Sequence, residues 1–85
     1  MNSYSISGRG GHVAGGSRRD AFGLPIVMAR TPQDAAERYV RRVTRRDLVV
    51  MRTTGDRMLS GQFAAYTIID GAMSHQFEFH VWPRL

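Results

Sequence analysis

All twelve permanently positive side chains of this sequence are arginines; it contains neither lysine nor cysteine. Arginine's planar fork grips carboxylates and phosphates at two points, so where these residues fall bears on what the chain can hold. Arg38, Arg41, Arg42, Arg45 and Arg46 recur at spacings that a helix gathers on one side. Such a row can clamp phosphates or a line of acidic side chains. It can equally be a solvated face, partly neutralised by Asp34, Glu37 and Asp47. A solvated face usually mixes signs at i,i+4 spacing, and this one does so only at its start. Arg18 and Arg19, with Arg9, sit in a glycine-rich stretch that suits a flexible arm ordering on contact with a partner. Trp82 is the single tryptophan and falls on the polar phase of an alternating segment. Tryptophan, tyrosine and arginine are enriched at binding hot spots. The competing role for Trp82 is a cover over the sheet edge or the end of the core.

Other chemistries find little support. Residues 10–17 (GGHVAGGS) loosely resemble a phosphate-binding loop, but Gly16 stands where its lysine belongs. His75 and His80 are five apart, so an extended strand points them to opposite faces and they cannot share a metal. Ser60 lacks the glycine spacing of a nucleophile elbow, and Asp56, Asp70 and Glu78 show no acid–base pairing. A chain of 85 residues also leaves little volume for a deep substrate pocket. The expectation is a binding protein with no catalytic residue, cofactor or metal.

The elements that position these side chains read as β-β-α-β-β-β. Residues 2–7 (NSYSIS) alternate as a short strand, and a flexible Gly/Arg-rich loop follows at 8–20. Residues 21–29 (AFGLPIVMA) predict a second strand, which Pro25 confines to a sheet edge or a bulge because it has no amide donor. Thr31 suits an N-cap, Pro32 the first helical position and Asp34 the first turn. From there to Arg46, Ala35, Ala36, Tyr39, Val40 and Val43 form one apolar face. Arg45 and Arg46 would then oppose the dipole in the last turn. Residues 47–53 and 62–69 predict strands separated by turn chemistry at 54–57. Asp70-Gly71 signals another turn, with room for a loop extending to Ser74. In residues 76–82, Phe77, Phe79 and Val81 point one way and Gln76, Glu78, His80 and Trp82 the other, before Pro83 ends the run.

The fold class expected is α+β: an antiparallel sheet of four to five strands with one amphipathic helix on one face. All 85 residues form one domain, because a chain this short supports one modest core. No apolar run approaches the roughly 20 residues that span a bilayer, and the glycine-rich N-terminus lacks a signal-like stretch. A cytoplasmic protein with no membrane partner is expected, as a monomer or a homodimer. A net charge of +5 leaves two partner classes, nucleic acid and acidic protein surfaces.

An ordered set of short matches narrows this further. It comprises Met1-Asn2-x-Tyr4-x-Ile6, Asp34-Ala35-Ala36 on the helix, and Leu48-Val49 leading to Arg52-Thr53-Thr54-Gly55. The run Ser60-Gly61-Gln62-Phe63-Ala64-Ala65-Tyr66 and the closing Phe79-His80-Val81 complete it. In this order the chain resembles small phage-encoded anti-CRISPR proteins, most closely one acting against type I-E systems. The likeness spans nearly the whole chain except the glycine-rich segment. It implies inhibition inside a host bacterial cell, by occupying the RNA-guided surveillance complex (Cascade) or by blocking recruitment of the Cas3 nuclease. Contact with guide RNA or the DNA backbone within that complex is compatible with the arginines. The sequence departs from the relative by being basic rather than acidic and by its Gly/Arg-rich arm, and a net +5 chain is poorly suited to DNA mimicry. A small basic DNA- or RNA-binding regulator is the alternative.

Overall fold

The computed structural model describes residues 1–8, 23–54 and 61–84. Arg18, Arg19 and most of the glycine-rich loop, together with Ser60 and the turn around Gly55, lie outside the described residues. Six elements follow in the order β1 (Asn2–Gly8), β2 (Ile26–Ala29), α1 (Pro32–Thr44), β3 (Val49–Thr54), β4 (Gly61–Ile69) and β5 (Ala72–Pro83). This is the α+β architecture expected, with five antiparallel strands in the order β2-β1-β5-β4-β3.

The helix begins where capping chemistry dictates. Thr31 is extended at φ −140°, and its Oγ1 accepts the Asp34 amide at 3.1 Å. Asp34 reaches back in turn, its Oδ2 accepting the Arg30 amide at 3.2 Å. One amide of the first turn and one just ahead of the cap are thereby satisfied from side chains. Replacing Thr31 by alanine should cost about 1 kcal/mol, read as a melting temperature lower by roughly 4–8 °C. An unchanged melting temperature would mean that the cap adds no stability.

The helix ends earlier than its arginines suggest. Arginine is a good helix former, so the sequence pattern runs on to Arg46. In the structure Thr44 Oγ1 donates to the Val40 carbonyl at 2.7 Å and accepts the Arg46 amide at 3.1 Å. Arg45 takes the left-handed conformation at φ 56°, its amide bonded to the Arg41 carbonyl at 2.8 Å. Arg45 and Arg46 therefore belong to the cap and the following bend, and the last-turn arginines are Arg41 and Arg42.

Other boundaries move as well: β3 starts at Val49, β4 at Gly61, and β5 runs from Ala72 through Pro83, which pairs with Tyr4 instead of ending the strand. The second strand is only Ile26–Ala29, with Pro25 as an isolated bridge whose carbonyl accepts the Ile6 amide at 3.0 Å. Its place at the sheet edge meets proline's lack of a donor. Gly8 closes β1 rather than opening the loop. The β4–β5 turn is two residues long, Asp70 at φ 51° and Gly71 at φ 80°, so pairing resumes at Ile69–Ala72 with no extension to Ser74. Positive φ at both positions matches the twist of the flanking strands.

The core lies between α1 and one face of the sheet. Ala35, Ala36, Tyr39 and Val40 from the helix meet Tyr4, Ile6, Val27, Phe63, Phe77, Phe79 and Val81 from the strands. Both alanines are fully buried, so their small side chains set how closely the helix approaches the strands. Tyr39 and Phe79 rings pack at 4.9 Å, and Phe79 also neighbours Phe77 and Phe63 at 5.9 and 6.1 Å. Central β5 thus carries the aromatic centre of the core.

Candidate binding surfaces

Two surfaces emerge, one basic on the helix side and one largely apolar on the uncovered face of the sheet. The arginine row does not act as a unit. Arg38 Nε pairs with Asp34 Oδ1 at 3.2 Å, one turn away. Arg41 Nε pairs with Asp47 Oδ1 at 3.0 Å, and Arg42 Nη1 donates to the Ile26 carbonyl at 3.3 Å. Exposed pairs of this kind add little stability, typically about 0–1 kcal/mol. They do engage the charge and direction of Arg38 and Arg41. Arg45 and Arg46 are exposed, and among the described residues neither has an ion-pair partner. Beside Arg46 runs an open groove of about 430 Å³, walled by Leu48, Val49, Tyr66 and Ile68 together with Asp47 and Thr67. Cation and apolar wall adjoin there, an arrangement suited to an acidic residue flanked by apolar ones.

Asp34 reports the electrostatics of the helix start. The Arg30 amide hydrogen bond holds its carboxyl below the usual range; Arg38 assists, and burial opposes. Burial raises the phenol of Tyr39 in the core.

The register places Met28, Ile26, Trp82, His80, Gln62, Glu78, Ala64, Met51, Tyr66 and Val49 on the face away from α1. Alternation along β5 holds as the sequence predicts, with Phe77, Phe79 and Val81 buried and Trp82 on the opposite face. Trp82 neither caps the core nor covers an edge. Its indole stacks on His80 at 3.8 Å between ring centres, and its Nε1 donates to Ser7 Oγ at 2.9 Å. Both supports come from strand pairing, since Ser7 lies opposite His80 and Ser5 opposite Trp82. Alongside, Glu78 accepts from Gln62 at 2.8 Å and faces His75 at 3.4 Å. These polar groups engage one another beside the aromatic pair.

His80 carries a consequence for pH. Its Nε2 is buried without a hydrogen-bond partner. Desolvation first, and the charge of Arg52 second, lower its pKa below the usual 6.5. The unfolded chain then binds the proton more tightly than the folded one. Stability from this residue is present above pH 6.5 and is lost as pH falls through the depressed folded value. Urea titrations at a series of pH values should show this decline, and His80→Gln should flatten it. An equal slope in both proteins would assign the decline to other groups.

Opposite β4, Arg52 lies over the Phe63 ring at 4.8 Å. A Cβ at Gly61 would displace this guanidinium from the Phe63 ring and stand 3.1 Å from the Thr54 carbonyl. Sequence reading assigned Arg52 no role, and only strand pairing brings it onto Phe63. The register shift between Ala65 and Tyr66 sets His75 opposite Tyr66 and so on the same sheet face as His80, not on the opposite face expected of an unbroken strand. The two stay on separate partners, and among the described residues no three histidine or acidic side chains group to hold a metal ion. No described helix is long and apolar enough to cross a membrane.

No known protein family matches the chain at the level of family-wide sequence patterns. Nor does any curated protein match it in sequence.

Proposed function

We propose that this chain inhibits a type I CRISPR–Cas system by binding, either at the surveillance complex (Cascade) or where that complex recruits the Cas3 nuclease. Catalysis and DNA mimicry have no part in this reading. The observation that carries it is the corner at the end of α1, where Arg45 and Arg46 lack ion-pair partners among the described residues and Arg46 borders a groove walled in part by Leu48, Val49, Tyr66 and Ile68. A cationic rim against an apolar wall favours an acidic protein surface over a bare phosphate backbone. The ordered matches to type I-E anti-CRISPR proteins supply the identity of that target, and the net charge of +5 argues against imitation of DNA.

The test combines the full chain with purified type I-E surveillance complex, and separately with Cas3, free double-stranded DNA and guide RNA. Binding to the complex or to Cas3, with loss of target-DNA binding or of Cas3 recruitment, is the expected result. Tight binding to free nucleic acid alone, weakening steeply with salt, would replace this reading with a small basic DNA- or RNA-binding regulator.

A further inference from the structure

A sheet that faces water on one side normally alternates apolar-in with polar-out. Here the side away from α1 departs from that rule. Met28 is 46% exposed, Met51 48%, Met73 49%, Trp82 46% and Ile68 64%, and all five lie on this face by strand register. Ile26, Val49 and Tyr66 fill positions between them. The patch thus reaches every strand of the sheet except the serine-bearing β1. Apolar patches larger than a few hundred Å² mark surfaces that another molecule covers.

We propose that the occupant is the same face of a second copy of this chain, in a two-fold dimer with stacked sheets and both helices outside. Three observations select a second copy. The first is the layout. Met28, Ile26 and Trp82 occupy one corner, while Met51, Val49, Tyr66, Ile68 and Met73 occupy the opposite one. Between the corners runs a polar band of Ser7, His80, Gln62 and Glu78. A two-fold axis in the plane between the sheets, along or across this band, sets apolar corner on apolar corner and band on band. The face is therefore self-complementary, as an isologous interface requires.

The second observation is charge. Arg30, Arg38, Arg41, Arg42, Arg45 and Arg46 accompany α1 and its ends, against Asp34, Glu37 and Asp47. Two copies meeting by that side would oppose like charge. The sheet face instead carries Glu78 near its centre and Arg84 at its end, with His75 and His80 as its titratable neighbours. Stacking these faces keeps Arg38, Arg41 and Arg42 of the two helices on opposite outer surfaces. The third is size. The molecule measures 41 × 28 × 21 Å. Covering about half of the broad side on each copy removes on the order of 1,100 Å², which clears the roughly 1,000 Å² expected of a specific interface. Trp82 is already fixed by His80 and Ser7, so little side-chain freedom is lost on association.

Light scattering of the full chain over a concentration series should give a mass rising toward twice 9.6 kDa. Because Trp82 is the only tryptophan, its emission should shift to longer wavelength on dilution, with no substitution needed. Trp82→Glu and Met51→Glu should each weaken association by more than about tenfold. Arg38→Glu, on the exposed side of α1, should leave it unchanged. A wild-type chain that stays monomeric throughout, or a dimer that survives both sheet-face substitutions, would overturn the proposal. The dimer face shares Val49, Tyr66 and Ile68 with the groove beside Arg46, so these measurements are made on the chain alone, without any target.

Discussion

Replacing Phe79 by alanine should remove about 3–5 kcal/mol of stability. An 85-residue domain holds on the order of 4–13 kcal/mol in total, so the variant should stand near the edge of unfolding. The size of the effect follows from position. Phe79 is 3% exposed on β5, the central strand, and its ring neighbours those of Tyr39, Phe63 and Phe77. Truncation would leave a cavity between helix and sheet that no single neighbour can fill. Phe79→Leu keeps most of the volume and should cost less than half as much. Urea denaturation of both variants checks this, with the midpoint falling at constant slope. A loss below about 1 kcal/mol for Phe79→Ala would show that the helix resettles onto the sheet.

Reversing Arg45 and Arg46 together to glutamate should weaken target binding by more than about tenfold and leave stability within roughly 0.5 kcal/mol. Both side chains are exposed and, among the described residues, outside any ion pair, so folding draws little on their charge. Reversal of Arg38 and Arg41 should affect binding less and stability more, since it would set like charge against Asp34 and Asp47. Binding to the type I-E surveillance complex at two salt concentrations separates the pairs. The Arg45/Arg46 variant should also lose salt sensitivity. Undiminished binding by that variant would move the contact surface away from the end of α1.

The contrast between the two arginine pairs shows where sequence reading stops. Periodicity places Arg38, Arg41 and Arg42 on the solvent side of α1, because Ala35, Ala36, Tyr39 and Val40 must face the sheet. Asp47 is legible as a neutralising charge, but its choice of Arg41 is not, and neither is the Ile26 carbonyl of β2 that accepts from Arg42. Those partners are remote in conformation or in sequence. Nor does propensity foresee the stop at Thr44, since it rewards continuing through arginines while the Thr44 hydroxyl bonds the turn closed.

Local rules alone determined three things: the Thr31-Pro32-Asp34 helix start, the alternation of β5 and the turn at Asp70-Gly71. Each depends on neighbours within a few residues, as capping, pleat and positive φ do. Tertiary structure decided the rest. Pairing of β1 with β5, from opposite ends of the chain, brings Ser7 beneath Trp82 and makes an exposed tryptophan a fixed one. The same strand order leaves a single helix to cover one face of five strands, and so gathers methionines 28, 51 and 73 on the other. Such a surface is set by long-range register, because residues distant in sequence become neighbours only when the whole sheet forms.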